Sequence, residues 1–293
     1  SSDEIHVFRT HPLVGASAPA RKGLDTGDNA RFVRYAWETP QSTGAFVPFI
    51  QGGKSRRWLE PHLYSIGWRA SGLEVKVLAD TSTGANIRNE SFYFRRGIAF
   101  TLIGAQFLAR AHVVPSVIAG KGSSIYCDDI PTMLFRLNSA RARTVLRALN
   151  PGIGFEIGDI NRLPMFAVPE MADVWTATEG AFKTHERHRE PSPDFRLPGP
   201  SPWRHAQDWA QLAVDRPDGA PLPDYIEAPD PEPATDHLSV ALGVALGRFG
   251  ANGGGILDPA TGDLSRALPA GLCFLDGTLD NTSRADSLGH GAC

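Results

Sequence analysis

The sequence predicts an α+β protein in which a mixed, β-rich part is followed by a helical part. Three observations support this prediction. Between residues 31 and 130, short apolar segments rich in β-branched and aromatic residues alternate with glycine-containing turns, which is the pattern of short strands. From residue 132 onward, apolar residues recur at helical spacing. The net charge also changes sign between the two parts.

Five short segments are the candidate strands of the first part. Each is rich in residues that favour strands, and turn-forming residues separate them. Gly52-Gly53 and Ser71-Gly72 are the clearest turns between them. The candidate strands are residues 46–50, 63–68, 73–78, 92–94 and 113–118.

The second part contains four predicted helices. The first covers residues 132–149, and Asn150-Pro151-Gly152 ends it because proline cannot continue a helix. Residues 155–164 follow as a strand or turn. The other helices are predicted at 170–188, 202–214 and 235–249, with proline-rich connections between them and a glycine-rich tail at 250–293.

Length and composition are those of a globular protein without a membrane anchor. The 293 residues suffice for one large or two modest domains. No run of about 18 apolar residues occurs, and no basic region followed by an apolar one begins the chain, so we expect neither a transmembrane helix nor a signal peptide. Three scattered cysteines fit neither a disulfide framework nor a zinc site. We therefore predict a cytoplasmic location.

The charge of the chain is divided unevenly. Residues 1–164 hold 20 Lys and Arg against 13 Asp and Glu, whereas residues 165–293 hold 9 against 19. Arginine outnumbers lysine by 24 to 5, which favours forked contacts to phosphate and to guanine edges. A GC-rich genome raises the arginine content everywhere, but it does not explain the concentration in one half. The asymmetry predicts an anion-binding first half.

Residues 23–38, GLDTGDNARFVRYAWE, join a turn-forming stretch to alternating arginines and aromatic residues. A glycine-containing backbone beside guanidinium groups and flat rings suits a surface that binds a phosphate backbone or an extruded base. The alternative, which the residues alone favour, is a loop before an ordinary edge strand. The segment stays a candidate binding surface on this basis.

Two basic clusters are candidate DNA contacts. The turn at 51–58 presents Lys54, Arg56 and Arg57, which either clamp phosphates or form a solvated hairpin tip. The second cluster lies between aromatic residues, where Asn can pair with adenine and Arg with guanine. This cluster comprises Arg88, Asn89, Arg95 and Arg96, with Arg69 before it and Arg110 and His112 after it. A lone histidine such as His112 is more often a surface or core residue than a functional one.

No segment has the geometry of a catalytic or metal-binding motif. Asn150-Pro151-Gly152 only faintly resembles an Asn-Pro-Pro-Tyr loop, because it lacks the second proline and the aromatic residue. The glycine-rich run at 247–255 follows a predicted helix with no strand before it. His185 and His188 do not have the four-residue spacing of the helical zinc motif His-Glu-x-x-His. We therefore predict no catalytic, cofactor-binding or metal-binding residue in this chain.

Several segments resemble one protein family, in the same order along the chain. They are GLDTGDNARFVRYAWE, PFIQGGKSRRWLEPHLYSIGW, NESFYFRRGIAFTLIG with FLARAHVVPSVI, LFRLNSARARTVLRALNPGIGFEIGDINRLP, and ALGVALGRFGANGGG with LCFLDG. This family comprises the large PglX-like adenine-specific DNA methyltransferases of BREX phage-defence systems and their type IIG restriction–modification relatives. The Leu-Asn-Ser helix followed by Gly-Asp-Ile and Leu-Pro is also similar to the end of target-recognition domains in type I specificity subunits.

The resemblance implies that the chain is the DNA-recognising piece of such an enzyme. Family members carry a Gly-rich loop for S-adenosylmethionine and an Asn-Pro-Pro-Tyr catalytic loop, and neither motif occurs here. We expect residues 1–30 to be a linker from a missing methyltransferase domain, 31–165 a DNA target-recognition domain, and 166–293 a helical spacer and C-terminal region. The fragment would not be catalytic alone, whereas its parent would use S-adenosylmethionine to methylate N6 of a flipped adenine.

The resemblance and the charge pattern together imply mixed readout of double-stranded DNA. Lys54, Arg56, Arg57, Arg95 and Arg96 would anchor the phosphate backbone, and some of Arg69, Arg88, Asn89, Arg110 and His112 would reach base edges. Other partners would be the missing methyltransferase domain and further defence-system proteins, with no membrane. The alternative function is a docking module of the same defence complex, whose acidic C-terminal half would bind a partner protein or a DNA-mimic inhibitor.

Overall fold

Short strands and helices alternate along the first part of the chain, and helices alone follow. A computed structural model describes residues 10–39, 44–52, 58–104 and 106–245. The predicted α+β class is confirmed, because the described residues form both helices and mixed sheets. The strands are β1 (Ala20–Arg21), β2 (Asp25–Thr26), β3 (Val33–Tyr35), β4 (Phe46–Ile50), β5 (Trp58–Leu59), β6 (Tyr64–Gly67), β7 (Ala85–Asn86), β8 (Gly97–Phe100), β9 (Ala109–His112), β10 (Val117–Ile118) and β11 (Ser124–Ile125).

The helices lie before, between and after these strands. Those of the first part are α1 (Val14–Ser17), α2 (Asn29–Phe32) and α3 (Arg69–Thr81). Those that follow β11 are α4 (Ile130–Asn138), α5 (Ala140–Leu149), α6 (Ile157–Asn161), α7 (Ala172–His188), α8 (Trp203–Val214) and α9 (Ala234–Ala245). In the described part of the chain, no helix has the length and apolar character needed to cross a membrane.

The larger sheet has five strands in the order β1-β11-β8-β9-β5. Its centre is the antiparallel hairpin β8–β9, in which Gly97 pairs with His112 and Phe100 pairs with Ala109. Every residue of both strands is buried. Both strands are buried because the sheet has an apolar core on each face. Ile98 belongs to the core that includes the helices after β11, whereas Ala99 belongs to the core of the smaller sheet.

The smaller sheet has four strands in the order β10-β4-β6-β3. Strand β10 runs parallel to β4, and the other pairs are antiparallel. Its core includes Phe32, Ile66, Trp68 and Val75, so α3 packs against this sheet through Val75. A separate two-stranded ladder joins β2 to β7.

Residues 10–30 are integrated into this fold. Strand β1 pairs with β11 at one edge of the larger sheet, and the side chain of Val14 is fully buried. The backbone N–H of Val14 also donates to the carbonyl of Leu163 over 2.8 Å. The described portion of the segment expected to be a linker therefore contributes a strand and core residues, while residues 1–9 lie outside the described residues.

Three of the five strand predictions need correction, and two are confirmed. Segments 46–50 and 63–68 contain β4 and β6. The strand prediction for 73–78 is wrong: this segment lies in α3, where Val75 is buried while Leu73 and Val77 are 57% and 52% exposed. Alternating apolar residues would have shared one face of a strand, but they lie on different faces of a helix.

The other corrections concern shorter segments. A 3-10 turn occupies Glu90–Phe92, and no strand is assigned to 92–94. Only Val117–Ile118 of the segment 113–118 forms a strand. The strand or turn expected within 155–164 is the short helix α6.

The helical part agrees more closely with its prediction. The helix expected over 132–149 is divided at Ser139, whose extended backbone ends α4 and whose hydroxyl accepts from the N–H of Ala142 at 3.1 Å to cap α5. Helices α7 and α8 confirm the predictions at 170–188 and 202–214. Helix α9 confirms the prediction that begins at 235, and residues 246–293 lie outside the described residues.

Candidate nucleic-acid interface

The segment between β7 and β8 holds four of the seven predicted DNA contacts that the structure describes. Asn89 adopts a left-handed conformation with φ of 52° and starts the 3-10 turn, which reverses the chain. Arg95 and Arg96 follow the turn directly before β8, and both are exposed. The tight turn thus brings Arg88, Asn89, Arg95 and Arg96 onto neighbouring parts of one loop.

Arg88 and Asn89 bind the segment that contains the GLDTGDN motif. The Arg88 guanidinium forms an ion pair with Asp25, with Nη1 and Oδ2 2.5 Å apart. The Asn89 amide donates to the carbonyl of Lys22 over 2.8 Å. These contacts bring Lys22 beside the loop, so two segments that are more than 60 residues apart in sequence share one surface.

Phe92 joins a further pair of cations to this surface. The guanidinium carbons of Arg21 and Arg95 lie 5.2 and 5.3 Å from the centre of the Phe92 ring. Both distances are within the range of cation–π attraction. The ring therefore holds two arginines from different segments close to each other.

A third segment, Gly120–Gly122, completes the surface. A Cβ atom on Gly120 would lie 2.2 Å from Asp25 Oδ1 and 3.2 Å from Lys22 Cε, so only glycine allows this close approach. Lys121 is exposed. It lines a cleft of about 320 Å³ together with Asp25, Thr26, Asn29 and Gln51. The cleft lies where the GLDTGDN motif meets the third segment.

We call this set of residues the basic surface. It comprises Arg21, Lys22, Arg88, Asn89, Arg95, Arg96 and Lys121. Sequence reasoning did not find Arg21, Lys22 and Lys121. The sequence signal for Arg21 and Lys22 was that they form a basic pair directly before Gly23. This pair lies within residues 1–30, which were expected to be a linker.

Two cations of the first part that lie outside the basic surface are neutralised by carboxylates. Arg31 pairs with Glu74, and Lys76 pairs with Glu90. In contrast, Lys22, Arg96 and Lys121 have no ion pair with any residue that the structure describes. The basic surface therefore keeps uncompensated positive charge, which is what attracts an anion.

Arg69 lies at the start of α3 and is exposed. The preceding residue, Trp68, packs edge-on against Tyr93 and Phe94 with ring centres 5.8 and 6.1 Å apart. Arg69 is therefore next to a residue whose ring packs against the loop of Arg95. Lys54, Arg56 and Arg57 lie outside the described residues.

Arg110 is positioned differently from the role expected for it. Its side chain is fully buried, and its Nε forms an ion pair with Glu60. Its Nη2 donates to the carbonyl of Gln51 over 3.2 Å. In this structure the guanidinium lies inside the protein, so we assign Arg110 to the core.

His112 is also a core residue. It is 1% exposed, and neither ring nitrogen has a hydrogen-bond partner in the described structure. Burial, aided by the nearby Arg110 charge, lowers the pKa of His112 to about 3. Its ring is therefore neutral at neutral pH and inaccessible to DNA, in agreement with the alternative that the sequence left open.

The described residues contain no cluster of three His, Cys, Asp or Glu side chains that could hold a metal ion. Tyr93 is a buried titratable group that contacts the basic surface. Its hydroxyl donates to the carbonyl of Arg88 over 2.9 Å, and burial raises its pKa. It acts as a neutral donor that fixes the Arg88 backbone.

The chain is related, over about half of its length, to adenine-specific methyltransferases. It is 31% identical over 167 residues to the adenine-specific methyltransferase PglX of Lacticaseibacillus casei (strain Zhang), which covers 50% of this chain and 14% of that protein. It is 23% identical over 185 residues to the adenine-specific methyltransferase BrxX of Escherichia coli O9:H4 (strain HS), which covers 58% of this chain and 15% of that protein. No protein-family model matches the chain.

Proposed function

We propose that this chain recognises double-stranded DNA as the specificity part of an adenine-N6 DNA methyltransferase in a phage-defence or restriction–modification system. The methyltransferase part of this proposal rests on the two relatives. The chain spans about one seventh of the length of each relative. The DNA-binding role rests on one observation: cations from three separate segments converge on the basic surface. Such a surface neutralises several phosphates of a duplex at once.

The residues of the basic surface divide into two roles. Arg95, Arg96 and Lys121 would contact phosphates, because they are exposed and their positive charges face solvent. Arg88 and Asn89 would contact bases. The Asp25 ion pair occupies only one of the five N–H donors of Arg88, so a guanine edge can still be bound. Arg69 remains a third candidate base contact.

Lys54, Arg56 and Arg57 would add further phosphate contacts, as the sequence predicts. S-adenosylmethionine and the methyl transfer would belong to a methyltransferase domain elsewhere in the parent protein. Within the described residues, the exposed cations of the basic surface support binding, whereas buried Arg110 and His112 support its scaffold.

The double variant Arg95→Ala/Arg96→Ala tests this proposal. It removes two phosphate contacts, so we expect affinity for a random duplex to fall by at least about tenfold at low salt, and the slope of log affinity against log salt to become shallower by about 1–2. Fluorescence anisotropy with a labelled duplex between low and moderate salt measures both quantities.

A matched control is Arg187→Ala/Arg196→Ala. Both arginines are exposed and lie in the helical part, so the same change in net charge occurs away from the basic surface. We expect this control to retain most of the affinity. Equal losses in the two double variants would show a nonspecific charge effect and contradict the assignment. Absence of duplex binding by the unaltered chain would favour the docking module.

A further inference from the structure

Three consecutive aromatic residues lead into the basic surface, and their environments differ. Phe92 lies beneath the guanidinium groups of Arg21 and Arg95. Tyr93 is only 5% exposed, whereas Phe94 is 43% exposed. Phe94 therefore presents a large apolar side chain to solvent directly beside the cations of the basic surface.

The backbone of Phe94 lies in the left-handed region, with a φ of 62°. This conformation is costly for a bulky residue, and such strain is found preferentially at functional sites. Contacts with the chain between β9 and β10 hold it in place. The N–H of Phe94 donates to the carbonyl of Ser116 over 2.8 Å. Ser116 is fully buried, and its hydroxyl donates to the carbonyl of Val114 over 2.6 Å. The fold therefore fixes the backbone that carries the exposed ring.

Trp68 supports the Phe94 ring at an edge. The two ring centres are 6.1 Å apart, and the ring planes meet at 69°. Trp68 is itself buried and also packs edge-on against Tyr93. A side chain that is held in this way has little conformational freedom left to lose on binding. Phe94 thus combines a fixed position with an accessible apolar surface.

The two residues that follow Phe94 supply positive charge. Arg95 and Arg96 are both exposed. Proteins that kink DNA insert an apolar side chain such as phenylalanine between two base pairs, while neighbouring cations contact the phosphates. The run Phe94-Arg95-Arg96 offers both chemistries within three consecutive residues.

We propose that Phe94 is a wedge that enters a DNA duplex at one base step and partly unstacks it, with Arg95 and Arg96 on the flanking phosphates. This inference rests on the proposed duplex binding and adds deformation of the DNA to it. The cost of opening a base step depends on its sequence and is lowest at pyrimidine–purine steps. The wedge would therefore add a preference for deformable steps to the base contacts of Arg88 and Asn89.

A duplex with a central T·T mismatch, compared with a fully paired duplex of the same length, tests the wedge. The mismatch removes part of the unstacking cost, so we expect the unaltered 293-residue chain to bind it at least about fivefold more tightly. Phe94→Ala should reduce this ratio to about one and leave the salt slope unchanged, because no cation is lost. Phe94→Tyr keeps the ring and should keep the ratio. Phe94→Gly accepts the left-handed backbone without strain and should behave like Phe94→Ala.

Two further variants serve as controls in the same anisotropy measurements. Arg95→Ala/Arg96→Ala should weaken binding to both duplexes alike and keep the ratio. Tyr35→Ala removes another exposed aromatic ring, which lies on β3, and should change neither affinity nor ratio.

The two proposals fail in different ways. Absence of binding to either duplex would refute duplex recognition and the wedge with it. Equal affinity of the unaltered chain for both duplexes would overturn the wedge alone. The same holds for a preference that persists in Phe94→Ala and Phe94→Gly, and for an equal loss of preference in Tyr35→Ala.

Discussion

Arg110 shows how burial changes the meaning of a residue that the sequence marks as a candidate DNA contact. An arginine in a basic, aromatic-rich segment is a plausible base contact, but here it is fully buried and paired with Glu60. Its partner lies 50 residues earlier in the chain, and no local pattern reveals such a pairing. The two residues lie in and beside the parallel strands β9 and β5, which only the three-dimensional fold places together.

Arg110→Met should therefore act on stability. It leaves the Glu60 carboxylate buried without its guanidinium, so we expect the free energy of unfolding to fall by about 3–5 kcal/mol. Urea denaturation followed by circular dichroism measures this change. Replacing both residues, as Arg110→Met/Glu60→Gln, should cost less than the single arginine change. A single-variant loss below about 1 kcal/mol would contradict the structural role.

His112 gives the protein a stability that depends on pH. Burial lowers its pKa from 6.5 to about 3, so below pH 6.5 the unfolded chain binds a proton that the folded chain excludes. Stability should fall as the pH decreases from 6.5 toward 3, at up to about 1.4 kcal/mol per pH unit from this group. His112→Phe should reduce that dependence, because phenylalanine does not titrate. The substitution breaks no hydrogen bond in the described structure, since the His112 ring nitrogens have no partners there. Identical pH profiles for both proteins between pH 7 and 5 would contradict this.

At the scale of elements, the GLDTGDN motif is held in place by backbone packing. Gly23 lies against the carbonyl of Ile118, and the N–H of Leu24 donates to that same carbonyl over 2.9 Å. The N–H of Gly120 in turn donates to the carbonyl of Leu24 over 2.7 Å. The glycine that the sequence marked as part of a possible binding surface is thus required for the contact between two chain segments.

Gly23→Ala tests this packing. The added Cβ would lie 1.8 Å from the Ile118 carbonyl oxygen, and a backbone atom cannot move aside cheaply. We expect a loss of at least about 2 kcal/mol in the free energy of unfolding. Gly180→Ala is the control, because it lies within α7 with no atom within 4 Å of the added Cβ and should stabilise by about 0.5–1 kcal/mol. Equal stability of the two variants would contradict the packing role of Gly23.

Periodicity predicted the long helices well and the short strands less well. Helices α7 and α8 have enough turns for their apolar residues to show a helical repeat. In α3, Leu73, Val75 and Val77 alternate like a strand, yet only Val75 is buried. Three left-handed residues ending at Gly72 start that helix, and such backbone geometry depends on Trp68 and its neighbours, which the local sequence does not show.

The division of charge is a property of the whole molecule, and the DNA-binding proposal begins from it. Two of the predicted contacts, Arg88 and Arg95, lie on one surface. Their convergence with Arg21 and Lys121 could not be predicted, because contacts with Phe92 and Asp25 join segments about 70 to 100 residues apart.

The salt dependence of duplex binding by the unaltered 293-residue chain tests the central proposal most directly. If the basic surface contacts at least three phosphates, the slope of log affinity against log salt should be about −3 or steeper. Fluorescence anisotropy with a random duplex at several salt concentrations measures that slope. A slope near zero, or no binding at low salt, would contradict the proposal that this chain recognises DNA.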